Sequence, residues 1–253
     1  MAFHNPIALA FWAGTWPEAL DAAKQRQQQP GSTFEHAIAH GWYARIACAI
    51  CSVDLAYKHA KIALESFEAP LSHIAMAESA IANGQLTLAY SHAETAWKQA
   101  EEMDAITKTA ALTTFAMVEG ARGHGEAAYG KAFRASIVCP EEAPFLLSEA
   151  QMSIAYAAMS IQRLDEAEEA VFKAMSLRKS QSETSPWIAE CYDALGRIKR
   201  HQKRPFDAVD FHKKALAMWS SDSTFYQGPM AASHHGLAPV SYTHLTLPTI
   251  YSV

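Results

Sequence analysis

The chain has 253 residues, half of them hydrophobic, with 11 Gly, 11 Pro, four Cys and a formal net charge of −5 at pH 7. That length is long for one compact core but ordinary for a repeat array, whose core grows with each added unit. The negative charge argues against nucleic-acid binding, because phosphate neutralisation needs a basic surface.

Targeting signals are missing from the sequence as given. No apolar run reaches the roughly 18 residues that a membrane-spanning helix needs, and the N-terminus has no basic stretch followed by an apolar one. We therefore expect no membrane partner. Four cysteines do not form a dense disulfide framework in a chain of this length, so a reducing, cytoplasmic setting is expected.

A small residue recurs along the chain where the second helix of a helical hairpin is predicted to open. In chain order, these residues are Ala19, Ala56, Ala89, Ala128, Ala167 and Ala208. Seven residues after each stands another alanine, except at Arg26, and seven residues are two helical turns on one face. Small side chains on that face let two helices cross closely, so the pattern predicts six hairpins. A generic alanine-rich helical bundle is the alternative.

The turns inside these hairpins are predicted five residues before each opening alanine. The residues there are Gly14, Cys51, Gly84, Gly123, Gln162 and Lys203. Three of the six are glycine, the usual residue where a helix ends in a left-handed conformation.

The hairpin pattern is fullest near the C-terminus, at Tyr192, Leu195-Gly196, Ala208 and Ala215-Leu216. This spacing resembles the tetratricopeptide repeat family. The resemblance implies an all-α, right-handed α-solenoid of about six and a half TPR-like repeats. The opening alanines lie 33 to 41 residues apart, mostly more than the ~34 of a typical unit, so we expect an irregular superhelix.

The C-terminal tail does not continue the repeat. Residues from Val240 to Thr249 resemble the translation of a transposon-type sequencing adapter. Before them, His234 and Leu237-Ala238 repeat the spacing of Tyr192 and Leu195-Gly196. We therefore predict a TPR-like domain at 1–238, truncated at its C-terminus, and a non-native tail at 239–253. A missing upstream region and a natural β-like tail are the open alternatives.

The family resemblance also implies a concave groove lined by positions one turn apart on the first helix of each hairpin. Carried over to this sequence, those positions are Arg45, Glu78, Met117, Met152, Tyr156, Met159, Glu190, Asp193, Arg197 and Arg200. The middle of the set is apolar and rich in Met, which suits packing against an apolar peptide or helix. The alternative for Met152, Tyr156 and Met159 is a place in the core.

The function implied by the resemblance is a protein–protein interaction scaffold that binds a peptide or protein partner in this groove. No enzyme activity, cofactor or metal is expected. The alternative function is a sensor or regulatory repeat arm of a larger bacterial signalling protein, such as an ATPase, a transcription regulator or a protease. No Walker loop, G-x-S-x-G, H-E-x-x-H or Rossmann glycine pattern occurs in the sequence.

Cysteine and histidine offer one metal hypothesis, which we consider weaker than packing. Cys48 and Cys51 form a C-x-x-C at the predicted end of a helix, where a redox motif would need a preceding strand. A zinc site would need a second ligand pair; His36 and His40 with Cys48 are the alternative set. We expect both cysteines to be small packing residues.

Two further clusters have ordinary explanations. His234-His235 lies on the predicted first helix of a seventh hairpin, where solvated or packing side chains are expected. The densest positive run consists of Arg197, Lys199, Arg200, His201, Lys203 and Arg204. It is expected to be a solvated helix end, which suits the helix dipole, and attraction of an acidic partner is the alternative.

Overall fold

The computed structural model of the chain describes residue 3, residues 5–222 and residues 225–246, with side chains described as far as residue 237. That part of the chain folds into α-helices joined by short turns, with no strand. The helices are α1 Pro6–Ala13, α2 Trp16–Gln28, α3 Thr33–Ala49, α4 Val53–Ser66, α5 Pro70–Ala82, α6 Leu86–Ala100, α7 Ala105–Ala121, α8 Gly125–Val138, α9 Pro144–Ser160, α10 Leu164–Lys179, α11 Pro186–His201, α12 Pro205–Trp219 and α13 Gln227–Thr246. A 3-10 turn, Ser220–Asp222, follows α12.

The helices pair in chain order as six hairpins, from α1–α2 to α11–α12, and α13 packs on α12 as a further helix. First helices also contact first helices of the next hairpin, as in α3 with α5 and α5 with α7. The prediction of an α-solenoid of TPR-like hairpins is therefore confirmed.

The predicted crossing alanines lie where the helices of each hairpin meet. Each opening alanine is the fourth residue of its second helix, and all six are buried. The alanines seven residues later, such as Ala63 and Ala174, are buried as well. Arg26, the exception in the sequence, instead reaches Glu35 across the turn between α2 and α3, with 2.7 Å between Nη2 and Oε1. The first hairpin therefore departs from the repeat near the C-terminal end of α2.

All six predicted turn positions adopt the left-handed conformation, with φ between 58° and 83°. Three are the glycines at 14, 84 and 123; the others are Cys51, Gln162 and Lys203. In each hairpin the residue after this position donates its backbone N–H to the first helix, as in Gln85 to the Ala80 carbonyl at 2.8 Å. The turn geometry is thus common to the repeats, and glycine is only its least strained occupant.

Helix starts use several local devices. Ser32 and Glu35 form a reciprocal capping box at the start of α3, which satisfies two backbone N–H groups that the helix leaves free. Asp104 accepts a hydrogen bond from the Thr107 backbone N–H at 3.0 Å and caps α7. Proline occupies the first turn of several other helices, including α9 and α11, where its missing N–H costs nothing.

The solenoid curves until its N-terminal hairpin meets its sixth hairpin. The Trp187 indole N–H donates to the Phe11 carbonyl at 2.9 Å, and the rings of Trp16 and Trp187 lie 4.6 Å apart, centre to centre. A Cβ at Gly14 would overlap the Ser185 hydroxyl. We call this contact between the α1–α2 turn and the start of α11 the closure contact.

Helix α13, which follows the sixth hairpin, adds a second connection across the superhelix. Gly228, near the start of α13, lies against the α3–α4 turn, where a Cβ would overlap Cys51 and approach the Ile50 carbonyl oxygen to 2.7 Å. Tyr226 packs edge-on against Trp16 with ring centres 5.5 Å apart. The concave side therefore becomes a chamber rather than an open trough.

The predicted boundary at residue 239 falls inside α13, whose backbone runs to Thr246. Side chains from 238 onward and residues 247–253 lie outside the part of the chain that the structure describes. The domain limits 1–238 and 239–253 and the adapter origin of the tail therefore stay predictions.

Candidate functional site

The chamber is a cavity of about 410 Å³ lined by residues from most of the first helices. Seven of the ten predicted groove residues line it: Arg45, Glu78, Met117, Met152, Tyr156, Glu190 and Asp193. A volume of this size lies within the range of small-ligand pockets, roughly 300–1,000 Å³. The first-helix register thus brought most of the predicted set to one surface.

Three predicted groove residues lie away from the cavity wall. Met159 is buried in the same core cluster as Val171 and Leu195 and is not part of the lining, so its predicted groove position is corrected to the core alternative. Arg197 is exposed and lies over the outer side of the Tyr156 ring, 5.4 Å from its centre. Arg200 lies one turn further along α11 and is not part of the lining.

The chamber contains buried ion pairs that join predicted groove residues such as Arg45 and Glu78 to the unpredicted Glu149 and Arg178. Arg45 is 6% exposed, and its Nε donates to Glu78 Oε2 at 3.0 Å. Its Nη2 reaches Glu149 Oε1 on α9 at 3.5 Å. Arg45 therefore connects the second hairpin directly with the fifth, and its guanidinium lies 5.3 Å from the centre of the Phe11 ring.

A second buried arginine lies on the other side of the chamber. Arg178 is 2% exposed; it donates to the Trp187 carbonyl and to Ser148 Oγ at 3.2 Å. Its Nη1 lies 2.9 Å from Glu190 Oε2, and the Tyr156 hydroxyl donates to Glu190 Oε1 at 3.3 Å. Both guanidinium groups are therefore held by carboxylates on first helices.

The electrostatic consequences follow from burial and pairing. Burial alone would lower the pKa of Arg45, but the carboxylates of Glu78 and Glu149 outweigh it and raise that pKa. Burial raises the pKa of Glu149, and Arg45 opposes that shift. Burial would also raise the pKa of Asp193, but hydrogen bonds from His212 and Ser233 bring it below its usual value. Glu149 is thus the carboxyl group least compensated by its surroundings.

Several buried polar atoms of the chamber residues have no hydrogen-bond partner among the described residues. They are Arg45 Nη1, Thr113 Oγ1, Glu149 Oε2, Glu190 Oε2, Trp16 Nε1 and Trp219 Nε1; of these, Glu190 Oε2 still forms an ion pair with Arg178. Buried polar groups in folded proteins are normally paired with protein or water. These unpaired donors and acceptors belong to residues that line the chamber, and they define the polar chemistry of its wall.

The sequence register could have identified some of the missed residues. Glu149 stands 18 residues before the opening alanine of its hairpin, as Glu190 does in the next one, and Thr113 shares the register of Met152 and Asp193. Arg178 carries no such signal, because it lies near the end of a second helix, α10. Trp16 of the closure contact also falls outside the first-helix rule, because it opens a second helix, α2.

The cysteine and histidine hypotheses have separate outcomes. Cys48 packs with its Sγ 3.8 Å from Ser79 Oγ, and burial raises its pKa to about 12. Cys51 is exposed, so the predicted burial is wrong for it: it occupies the left-handed turn, lines the chamber and lies against Gly228. His40 contacts His59 instead of Cys48, with 2.9 Å between their Nδ1 atoms.

The absence of a metal site and of a membrane-spanning segment stays a prediction from the sequence. In the described part of the chain, no three His, Cys, Asp or Glu residues come together as a metal-binding group. No helix there is long and apolar enough to cross a membrane. The absence of a metal or cofactor, the absence of nucleic-acid or membrane partners and the cytoplasmic setting stay expectations from sequence.

The remaining charged and histidine clusters are largely solvated. His234 and His235 are both exposed. The positive run on α11 is not uniform, because Lys199 is buried and its Nζ lies 2.6 Å from Glu168 Oε1. For Lys199 the expectation of a solvated helix end is therefore wrong: an intramolecular carboxylate occupies it.

Comparison with known proteins supports this fold. A family model described as a tetratricopeptide repeat matches residues 146–221, which span α10 to α12 and most of α9. No curated protein sequence matches the chain significantly.

Three solved structures similar to the chain are each below 25% identity to it and support the fold alone. A Rap protein complexed with competence and sporulation factor has a TM-score of 0.61 and 16% identity, over 94% of this chain and 73% of that one. The APC/C hetero-tetramer Cut9–Hcn1 gives 0.60 and 15%, over 92% of this chain and 42% of that one. The apo form of RapI gives 0.54 and 12%, over 94% and 72%. The chain is thus an α-solenoid of tetratricopeptide-like hairpins, with the family match on residues 146–221.

Proposed function

We propose that this chain is a non-catalytic interaction scaffold that binds a peptide segment in the chamber formed by its first helices. The observation that supports this most is the gathering of seven predicted groove residues around one cavity whose buried polar atoms lack partners. A peptide offers both backbone carbonyls and N–H groups to such atoms. The Rap protein of similar fold was solved with competence and sporulation factor, which supports partner binding by this architecture.

The cavity walls favour a peptide over a large folded partner. Aromatic rings from Phe11, Trp16, Trp187 and Trp219 line the cavity, together with the side chains of Met117 and Met152. Apolar walls with a few fixed polar groups are typical of sites that enclose a small ligand. A globular surface cannot enter a volume of about 410 Å³, whereas an extended segment of a few residues can.

Peptide selection followed by matched tryptophan substitutions tests this proposal. Short random peptides are selected on the wild-type protein, and affinities are then measured by isothermal titration calorimetry. Met117 lines the chamber and is 43% exposed, whereas Phe172 on α10 is 48% exposed and does not line it. Met117→Trp should weaken binding about tenfold or more by filling the cavity, and Phe172→Trp should leave it unchanged.

Two outcomes would oppose the proposal. A selection that yields no binder argues against a peptide scaffold, and a binder indifferent to Met117→Trp places the contact outside the chamber. The alternative from sequence, a regulatory arm of a larger signalling protein, adds a domain outside this chain and stays a prediction.

A further inference from the structure

The chamber holds one more carboxyl group than its two buried arginines neutralise. Arg45 pairs with Glu78 at 3.0 Å and Arg178 with Glu190 at 2.9 Å. Glu149 Oε1 lies 3.5 Å from Nη2 of Arg45, which is already paired with Glu78. Asp193 has its own partners, His212 and Ser233. The remaining carboxyl group belongs to Glu149.

Glu149 is buried and incompletely bonded. Its side chain is 15% exposed, and its Oε2 has no hydrogen-bond partner among the described residues. The carboxylates of Glu78 and Glu190 add repulsion to the burial that raises its pKa. A buried carboxylate of this kind is unfavourable unless a proton or a positive group compensates it.

Other unsatisfied atoms of the chamber show what kind of molecule can supply that positive group. Thr113 lines the cavity and is 4% exposed, and its hydroxyl has no hydrogen-bond partner among the described residues. A cationic N–H donor is the partner that Glu149 Oε2 lacks, and a hydroxyl such as that of Thr113 can accept from the same kind of donor. The unpaired indole N–H groups of Trp16 and Trp219 are donors only, and they suit backbone carbonyls rather than a cation.

An anion is the opposite possibility, because Arg45 Nη1 is also buried without a partner. An anion at that nitrogen would lie beside the carboxylates of Glu78 and Glu149, which Arg45 already contacts. Repulsion from two carboxylates in a poorly solvated site outweighs the attraction of one shared guanidinium. Arg45 Nη1 is better matched to a neutral carbonyl oxygen.

We propose that the chamber selects peptides carrying a cationic side chain, and that Glu149 is the residue that binds the cationic group. This inference rests on the proposed peptide-binding function and names the ligand chemistry of the same site. The cation completes the charge balance, the indoles and Arg45 hold backbone carbonyls, and the aromatic walls add cation–π attraction. Glu149 is a specificity-determining residue in this arrangement.

The test compares two capped tripeptides that differ only in charge. Acetyl-Ala-Arg-Ala-amide and its citrulline counterpart have nearly the same shape, and citrulline replaces the guanidinium with a neutral urea. Calorimetry on the wild-type protein should show the arginine peptide binding about tenfold or more tighter, as expected for a charge-assisted hydrogen bond. Equal affinities, or no binding of the arginine peptide at millimolar concentration, would overturn the inference.

Glu149→Gln then assigns the preference to this residue. Glutamine keeps an acceptor for Arg45 but removes the charge, so the preference for arginine over citrulline should disappear. The matched control is Glu102→Gln, which removes an exposed carboxylate between α6 and α7 and should leave the preference intact. A preference that survives Glu149→Gln in a folded variant overturns the assignment.

Further comparisons distinguish a free cation from a cationic peptide side chain, and a failure of this inference from a failure of the proposed function. Free n-butylguanidinium measures whether the cation alone suffices; binding as tight as that of the tripeptide would overturn the peptide requirement. If selected peptides bind in the chamber without any charge preference, the cation inference fails and the scaffold function stands. If no peptide binds in the chamber, the function itself fails.

Discussion

The closure contact can be tested by adding a single methyl group at Gly14. Gly14 and Gly84 both occupy left-handed turn positions, with φ of 81° and 71°. A Cβ at Gly84 meets nothing within 4 Å, whereas at Gly14 it overlaps the Ser185 hydroxyl and lies 2.7 Å from Pro186 Cδ. Alanine therefore has the same conformational cost at both sites, but only at residue 14 does it also clash with the start of α11.

The expected magnitudes follow from these two costs. The left-handed conformation costs alanine about 1–2 kcal/mol relative to glycine, and the less flexible unfolded chain returns about 0.4–1 kcal/mol. Gly84→Ala should therefore destabilise by about 1 kcal/mol. Gly14→Ala adds overpacking of about 1–3 kcal/mol, because the Pro186 ring cannot rotate away, so its total is about 2–4 kcal/mol.

Urea unfolding followed by circular dichroism measures both free energies. Gly123→Ala serves as a second control, because its added Cβ also meets open space and it should behave like Gly84→Ala. The double variant Gly14→Ala, Ser185→Gly should recover part of the loss, since neighbouring sites couple in a double-mutant cycle. Equal costs at residues 14 and 84, within about 0.5 kcal/mol, would show that the N-terminal turn does not pack on α11 in solution.

Three further changes test the cap, the buried ion pair and the half-buried His59. Ser32→Ala removes the capping box of α3 and should cost about 1 kcal/mol; an unchanged urea midpoint would contradict it. Arg45→Ala leaves the buried carboxylate of Glu78 unpaired and should cost about 3–5 kcal/mol in the same assay, whereas a loss below about 1 kcal/mol would indicate a solvated pair. Burial lowers the pKa of His59 from its ordinary value of 6.5 to about 4 in the folded protein. Between these two values the unfolded chain binds more protons than the folded one, so the free energy of unfolding should fall as the pH drops from about 6.5 to 4. His59→Phe, which copies the stacked ring of Phe211 in the sixth hairpin, should flatten that dependence, and an unchanged slope would exclude His59 as its source.

The repeat register was predictable because it depends on short-range geometry. Crossing alanines and left-handed turns recur at fixed spacing, and the structure places them at the helix crossings and turns. Cys51 and Lys203 show that the conformation follows position rather than residue type. The hairpins could therefore be located from sequence without knowing how they assemble.

The chamber could be predicted only in part, because its closure depends on the curvature of the whole array. Small rotations at each hairpin decide whether the first hairpin meets the sixth, and no short pattern encodes their sum. Arg178 illustrates the limit, since its position on a second helix gave no reason to place it beside Glu190. Met159 illustrates the reverse, because its register suited the groove but its side chain is buried in the core cluster that includes residues of α10 and α11.

The link between Arg45 and Glu149, together with the meeting of Trp16 and Trp187, has a consequence for how the molecule unfolds. An open repeat array behaves as a line of neighbours, and its ends can fray without disturbing the middle. Here the line is joined into a loop, so damage at one end reaches units that are distant in sequence. Hydrogen exchange should then show the first and sixth hairpins opening together, at one shared free energy, rather than in order from the termini.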